Sequence, residues 1–373
     1  MGESNTEESL LKAIRCNDIK MVINLILQKG YQPHLWSLTP DPVNLAVQGG
    51  QSDILRVLLE HGFNPTCPYP GDLPWQRSPI HLASCSRDME CLRILLEAGV
   101  GVDDRDGEQR TPLHWASACG HLTMAKFLIE AGSSVNVIQS DGFSPLHVAT
   151  CLGYDQLCKL LIDNGANINI EDKDGWTALH SAVCYGHHCI VTYLLQGGAL
   201  VDQATIHMER AVHIAASCGH IGIVQELLNF GADINCRNIN GYTAFHLTVF
   251  HNKYEVAKCL ASANADVNTV SDDGSSPFFM AVMRAQEDFL TLILSIGVDL
   301  RNHKWLRSRI FPAVLKANQR LCQWLINFSS NPQTLKHLCG LAVRKIMGQN
   351  FLPRIHLFEI PDILKEYTAL PLI

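Results

Sequence analysis

Apolar residues come in pairs at a fixed interval along this chain: Leu58-Leu59, Leu95-Leu96, Leu128-Ile129, Leu161-Ile162, Leu194-Leu195 and Leu227-Leu228. Twelve residues before each pair stands an alanine, at Ala46, Ala83, Ala116, Ala149, Ala182 and Ala215, and sixteen after each alanine a glycine, at Gly62, Gly99, Gly132, Gly165, Gly198 and Gly231. With the alanine as marker, the spacing is 33 residues from Ala83 through Ala116, Ala149, Ala182, Ala215 and Thr248 to Ala281. Ala46 lies 37 before Ala83, Ala13 lies 33 before Ala46, and Ala313 lies 32 after Ala281, which makes ten units to about residue 330. A fixed period of this length marks a stacked repeat, because one unit cannot bury its own apolar face and its neighbours must supply the core.

Each unit predicts two helices. Thr111-Pro112-Leu113-His114-Trp115-Ala116 opens the clearest one. Thr111 can accept from the orphan amides of a first helix, and Pro112 suits its first turn because the missing N–H is not needed there. Small residues after the marker let that helix pack closely, the apolar pair forms the core of a second helix, and the glycine ends it in the left-handed region. Asp141-Gly142, Asp174-Gly175 and Asp273-Gly274 predict tight hairpin tips between units. Ser78-Pro79-Ile80-His81, Ser144-Pro145-Leu146-His147 and Thr177-Ala178-Leu179-His180 repeat the opening closely, while Ala211-Val212-His213, Ala244-Phe245-His246 and Pro277-Phe278-Phe279 repeat it with losses. The unit resembles the ankyrin repeat in length and in its T-P-L-H-x-A signature, which implies an all-α ankyrin-repeat solenoid of about ten helix-turn-helix units with hairpin loops.

Composition narrows the class. The chain has 373 residues, 47% hydrophobic and 17% charged, a length that suggests several domains until the repeats remove the need for separate cores. No apolar run approaches the roughly 18 residues of a membrane span, so no membrane partner is expected. The acidic stretch Met1 to Leu10 predicts no secretory signal. Met1-Gly2-Glu3-Ser4-Asn5-Thr6 fits the minimal myristoylation pattern, but Glu3 and its acidic neighbours deny the polybasic second signal of stable anchoring, and an ordinary N-terminus is expected. Five of the fourteen cysteines, Cys85, Cys119, Cys151, Cys184 and Cys218, follow the marker by two or three, where small packing residues belong. With no C-x-x-C pair they read as buried free thiols in a reducing compartment, and a cytoplasmic location is expected, with the nucleus as the alternative.

The candidate chemistry is thin. Six of seventeen histidines, His81, His114, His147, His180, His213 and His246, hold the fourth place of the opening motif. In ankyrin repeats that imidazole bonds the backbone of adjoining turns, which is a structural role. His187-His188 has no facing carboxylate or cysteine cluster, so no metal is expected. There is no G-x-S-x-G, G-x-x-x-x-G-K-[ST] or H-E-x-x-H, hence no catalytic residue, cofactor or enzyme activity is expected. The stretch Cys67-Pro68-Tyr69-Pro70-Gly71-Asp72-Leu73-Pro74-Trp75 carries the four extra residues between the second and third markers, either a rigid recognition loop or a tolerated insertion.

A different grammar begins after Asn331-Pro332. Thr334-Leu335-Lys336-His337-Leu338-Cys339-Gly340-Leu341-Ala342-Val343 puts Leu335, Leu338, Cys339, Ala342 and Val343 on one apolar face at helical spacing. It resembles the BC box of a SOCS box: a small residue and Leu, then three residues, Cys, three residues and an aliphatic. Leu357-Phe358-Glu359-Ile360-Pro361-Asp362-Ile363-Leu364-Lys365-Glu366-Tyr367 resembles the cullin box that ends such a segment. The family usually has L-P-aliphatic-P there, and this chain puts Phe358 and Glu359 in the first two places, keeping Ile360-Pro361, Leu364 and Tyr367. The order resembles the ankyrin-repeat-and-SOCS-box family, with an array over 1–330 and a box over 331–373.

That resemblance implies a non-catalytic substrate receptor of a cullin-5 RING ubiquitin ligase. Thr334, Leu335, Leu338, Cys339 and Val343 would bind elongin C with elongin B, and Ile360, Pro361, Leu364 and Tyr367 would bind cullin-5 with its RING protein. Glu359 keeps open a second reading, a scaffold or competitive inhibitor that binds without delivering its partner. The protein substrate is unknown, and its expected contacts are exposed aromatics and acids at hairpin tips and along first helices: Trp115, Phe143, Trp176, Tyr185, Tyr242, Asp172 and Asp174. From Arg301 onward the chain carries +8 and before it −15. The acidic array speaks against nucleic acid and toward a basic protein partner, or simply toward a solubilised surface. Asn136, Asn169, Asn235 and Asn268 stand twenty past their markers. Resemblance to hydroxylated ankyrin proteins makes an asparaginyl hydroxylase a further expected partner, while the plainer reading is that Asn suits a turn.

Overall fold

The computed structural model describes residues 3–27, 41–67, 76–86 and 88–298. Among them are 18 helices and no strand, so the all-α expectation holds there. Contacts divide the chain into two units, Met1–Leu200 and Val201–Ile373.

The first unit holds α1 (Glu3–Arg15), α2 (Ile19–Ile26), α3 (Pro42–Gln48), α4 (Ser52–Glu60), α5 (Pro79–Cys85), α6 (Met89–Glu97), α7 (Pro112–Ala118), α8 (Leu122–Glu130), α9 (Pro145–Cys151), α10 (Asp155–Asp163), α11 (Ala178–Tyr185) and α12 (His188–Gln196). In the second unit are α13 (Ala211–Cys218), α14 (Ile221–Asn229), α15 (Ala244–Phe250), α16 (Tyr254–Ser262), α17 (Pro277–Met283) and α18 (Glu287–Ile296). Odd-numbered first helices pack on one another in sequence, α1 to α11 in one unit and α13 to α17 in the other. Second helices form a parallel layer, with α8, α10 and α12 in contact and α14, α16 and α18 likewise. These are the repeats headed by Ala13 through Ala281; the unit of Ala313 lies outside the described residues.

The markers explain the close stacking. Every one from Ala13 to Ala281 is buried, Thr248 included, and a larger side chain there would push neighbouring first helices apart. In each apolar pair the first member is fully buried, as Leu128, Leu161 and Leu227 are at 0% exposure, while the second is half-buried in most repeats. Burying one such leucine contributes about 1.5–3 kcal/mol. Thr111 caps α7 and Pro112 opens it. Gly132 and Gly165 adopt φ of 94° and 83°, and Asn264 fills the same place at 65°, which an asparagine tolerates. Gly142 has a further reason: a Cβ there would sit 2.8 Å from the Asp172 Cα of the next hairpin.

The five marker-following cysteines are half-buried rather than buried, because they stand at the ends of first helices, where packing by neighbouring helices is incomplete. All described cysteines are free; Cys91, Cys158 and Cys236 are the buried ones.

Candidate functional site

Two residue columns tie each repeat to the next. In the first, the Thr111 N–H donates to His114 Nδ1 at 3.1 Å and His114 Nε2–H donates to the Phe143 carbonyl of the next hairpin at 3.1 Å. His81 bridges likewise from Ser78 to the Asp104 and Arg110 carbonyls, His213 reaches the Cys236 carbonyl, and His246 the Ser275 carbonyl. His147 Nε2 lies by the Trp176 and Ile170 carbonyls without a well-formed hydrogen bond to either. Burial drives these imidazoles toward neutrality, His114, His213 and His246 to about 4, and His81 and His147 below the ordinary histidine value. A neutral ring can accept at Nδ1 and donate at Nε2, and both bonds need it so.

The second column comprises the asparagines expected as turn formers or hydroxylase targets, and its structural part is a clamp between repeats. Asn136 Oδ1 accepts the Asn167 N–H at 2.7 Å and its amide donates to the Gly165 carbonyl at 3.1 Å. Asn169 does the same with Leu200 and Gly198, and Asn235 accepts from Asp266. Asp103 and Asp202, at the same place in their repeats, accept from Ser134 and Asp233. Each side chain therefore clamps the backbone 31 residues on, and the 33-residue period contained that relation. The amide corresponding to Asn268 falls at 299, outside the described residues.

The expected substrate contacts are more engaged than exposed aromatics would be. Trp115 is half-buried, donates Nε1–H to Asp106 at 3.0 Å, and has the Arg77 and Arg110 guanidiniums 4.8 and 4.3 Å from its ring. Phe143 stacks on His147 and Trp176 tilts over His180, both half-buried. Tyr242, half-buried, donates its hydroxyl to Asp273 at 3.1 Å. Tyr185 alone among them is strongly open, at 60%, beside His187. Asp172 builds its own hairpin by accepting the Asp174 and Trp176 N–H groups at 2.9 and 2.7 Å, so its carboxylate is committed to the turn. Asp174 is exposed at the tip.

The second unit has an apolar edge that the repeat motif does not announce. Ile206 (57%), Met208 (47%) and Ile239 (56%) are exposed on adjacent hairpin tips, joined where the Ile239 N–H donates to the His207 carbonyl. Met208 adopts φ +58° where Gly142, Gly175, Gly241 and Gly274 stand in other tips. The missing Asp-Gly at this tip was the available signal.

Thr334, Leu335, Leu338, Cys339, Val343, Ile360, Pro361, Leu364 and Tyr367 lie outside the described residues, as does Glu359. Among the described residues no helix is long and apolar enough to cross a membrane, and no group of three His, Cys, Asp or Glu side chains could hold a metal.

A family model described as ankyrin repeats in three copies matches residues 10–106, 43–139, 131–205 and 210–304, and a SOCS-box model matches 331–367. The chain belongs to the ankyrin-repeat and SOCS-box family. A search of the curated proteins finds no match. Ankyrin proteins with a SOCS box are typically adaptors, and the box generally binds elongins B and C and a cullin. The combination fits a substrate receptor of a cullin-RING ubiquitin ligase.

Proposed function

We propose that the chain is the substrate-recognition subunit of a cullin-5 RING ubiquitin ligase, with an array over 1–330 that captures a protein and a box over 331–373 that docks on elongins B and C. The SOCS-box match over 331–367 carries the reading, because it encloses Thr334, Leu335, Leu338, Cys339 and Val343 at BC-box spacing and Ile360, Pro361, Leu364 and Tyr367 at the cullin-box positions. The chain would act by holding its substrate near the charged E2, raising the effective concentration of target lysines. A cytoplasmic location suits that role.

For the substrate we favour two surfaces. One follows the first helices and tips of the first unit, with Tyr185 and Asp174 open and Trp115, Phe143, Trp176 and Asp172 supporting them. The other is the tip edge of the second unit, Ile206, Met208 and Ile239 beside Tyr242. An asparaginyl hydroxylase remains a proposed partner at Asn136, Asn169, Asn235 and Asn268; the clamp bonds of the first three mean that the hairpin must loosen before an enzyme reaches Cβ. Peptide mass spectrometry showing no added oxygen at the four sites would remove that partner.

Co-purification tests the receptor reading. Leu335→Ala with Cys339→Ala should abolish elongin recovery and leave substrate capture intact. The scaffold reading is favoured by Glu359, a charge in a place where the family usually has proline, because burying it unpaired is costly. Weak cullin-5 binding is expected, tightened by Glu359→Pro and weakened by Pro361→Ala. If the elongin complex binds no cullin at micromolar concentration and Glu359→Pro does not restore it, the scaffold reading replaces the receptor.

A further inference from the structure

Three consecutive hairpin tips of the second unit form a ladder. The Ile239 N–H donates to the His207 carbonyl at 3.0 Å, and the Asp272 N–H donates to the Asn240 carbonyl at 3.1 Å. Its character changes from end to end. The first tip exposes Ile206 and Met208, the second Ile239, and the third Asp272 and Asp273. The first unit's tips are polar throughout, with Glu108 and Gln109 on one and Lys173 standing 3.9 Å from Asp141 between the next two.

The acidic tip is held in shape. Asp273 accepts from the Ser271 hydroxyl, from the Ser275 N–H at 2.9 Å and from the Tyr242 hydroxyl at 3.1 Å. These bonds, that of Ser271 foremost, hold its carboxyl down to about 2. Arg237 donates to Asp272 and to the Val270 carbonyl, both at 2.9 Å. Two carboxylates against one guanidinium leave this tip one net negative charge. Arg284 is engaged elsewhere, over the Phe250 ring at 4.2 Å and on the Phe250 carbonyl at 2.7 Å.

We propose that this ladder takes an extended segment of a partner protein in which two apolar side chains are followed by a lysine or arginine. The apolar pair lies on Ile206, Met208 and Ile239, and the cation on Asp272 and Asp273. This deepens the second of the two substrate surfaces above and rests on that reading. The spacing follows from the repeat. First helices α13, α15 and α17 pack in succession, which sets neighbouring tips about 8–10 Å apart, a distance that extended chain covers in about three residues. Apolar residues at i and i+3 with a cation at i+6 therefore match the three tips. An apolar patch alone would accept any apolar surface, and the charged third tip fixes the register.

Phage display of random dodecapeptides on the full chain supplies the probe, and each recovered peptide is synthesised and measured by fluorescence anisotropy. The selected peptides should share the apolar, apolar, basic spacing. Ile206→Ser with Ile239→Ser should weaken their binding at least about tenfold. Asp272→Asn with Asp273→Asn, which keeps an acceptor for Ser271 and Ser275, should weaken it about three- to tenfold and remove most of its salt dependence. Changing the peptide's cation to glutamate should do the same against the parent chain, which covers a variant that fails to fold. Leu335→Ala with Cys339→Ala should leave peptide binding unchanged, so that failure at the tips and failure of the box are read separately. Peptides without the basic residue, binding indifferent to the tip variants, or no selected peptide at all overturns the proposal. Self-association in sedimentation that the two serines abolish also overturns it, by giving the surface to a second copy of this chain.

Discussion

The histidine column and the hairpin tips of the same repeats obey opposite rules. From His81 to His246 the imidazole is buried with the same Nδ1 bond to the cap residue. At the tips, twenty-odd residues further along each repeat, the backbone bonds persist while the side chains change: Asp106, Asp172, Thr205, Asn238 and Ser271 all close the turn with a side-chain oxygen. Beyond that oxygen one tip shows Lys173 and Asp174, another Ile206 and Met208. Geometry is thus fixed by acceptors that any of several residues supply, and the outward positions are free to vary.

The comparison can be broken first with acid. Above the ordinary histidine value of 6.5 the imidazoles of His81, His114, His147, His213 and His246 are neutral in both states, so their burial carries no protonation cost. As pH falls toward 4 the unfolded chain takes up protons that the folded chain refuses, so stability should decline through that window, by up to about 3 kcal/mol for each of His114, His213 and His246. Urea unfolding at pH 7.5 and 5 measures it, and equal midpoints would contradict the neutral-histidine account. Leu161→Ala should come next, at about 2–5 kcal/mol for a fully buried side chain; a neutral result would show that α10 is not packed as described.

Smaller effects sharpen the contrast. Asn136→Ala removes one bond at 2.7 Å and one at 3.1 Å, and a loss of about 1–2 kcal/mol is expected in thermal unfolding, with Asn136→Asp retaining the acceptor and part of the stability. At the tips the sign should reverse. Met208→Gly relieves a left-handed methionine and should raise stability by about 0.5–1 kcal/mol, while Ile206→Ser with Ile239→Ser should stay within about 0.5 kcal/mol of the parent and reduce partner capture. A large stability loss from the double serine variant would make these residues core rather than surface.

Much of the fold was legible because its causes are local. Thr111 and Gly132 each answer a backbone demand within one repeat, Ala116 and Leu128 answer the same packing demand in every repeat, and a 33-residue period multiplies that signal. The clamp was not legible in the same way. Asn136 meets Asn167 only when repeats are stacked, and aspartate stands at the same place in Asp103 and Asp202, so the column shows no single residue type. Exposure was harder still. Trp115 looked like an open anchor, yet Asp106, Arg77 and Arg110 close around it, and nothing in a 33-residue motif reveals the partners that a half-turn of neighbouring backbone supplies.

Both the clamp and the histidine bridge join a repeat to its immediate neighbour and to nothing farther away. Tension applied along either unit is therefore borne in series, link after link. Such a stack yields at its end, one repeat at a time, and each released repeat of 33 residues pays out about 110 Å of chain. An ATP-driven unfoldase pulling on this protein would meet a staircase of similar low steps, with no single high barrier to stall on.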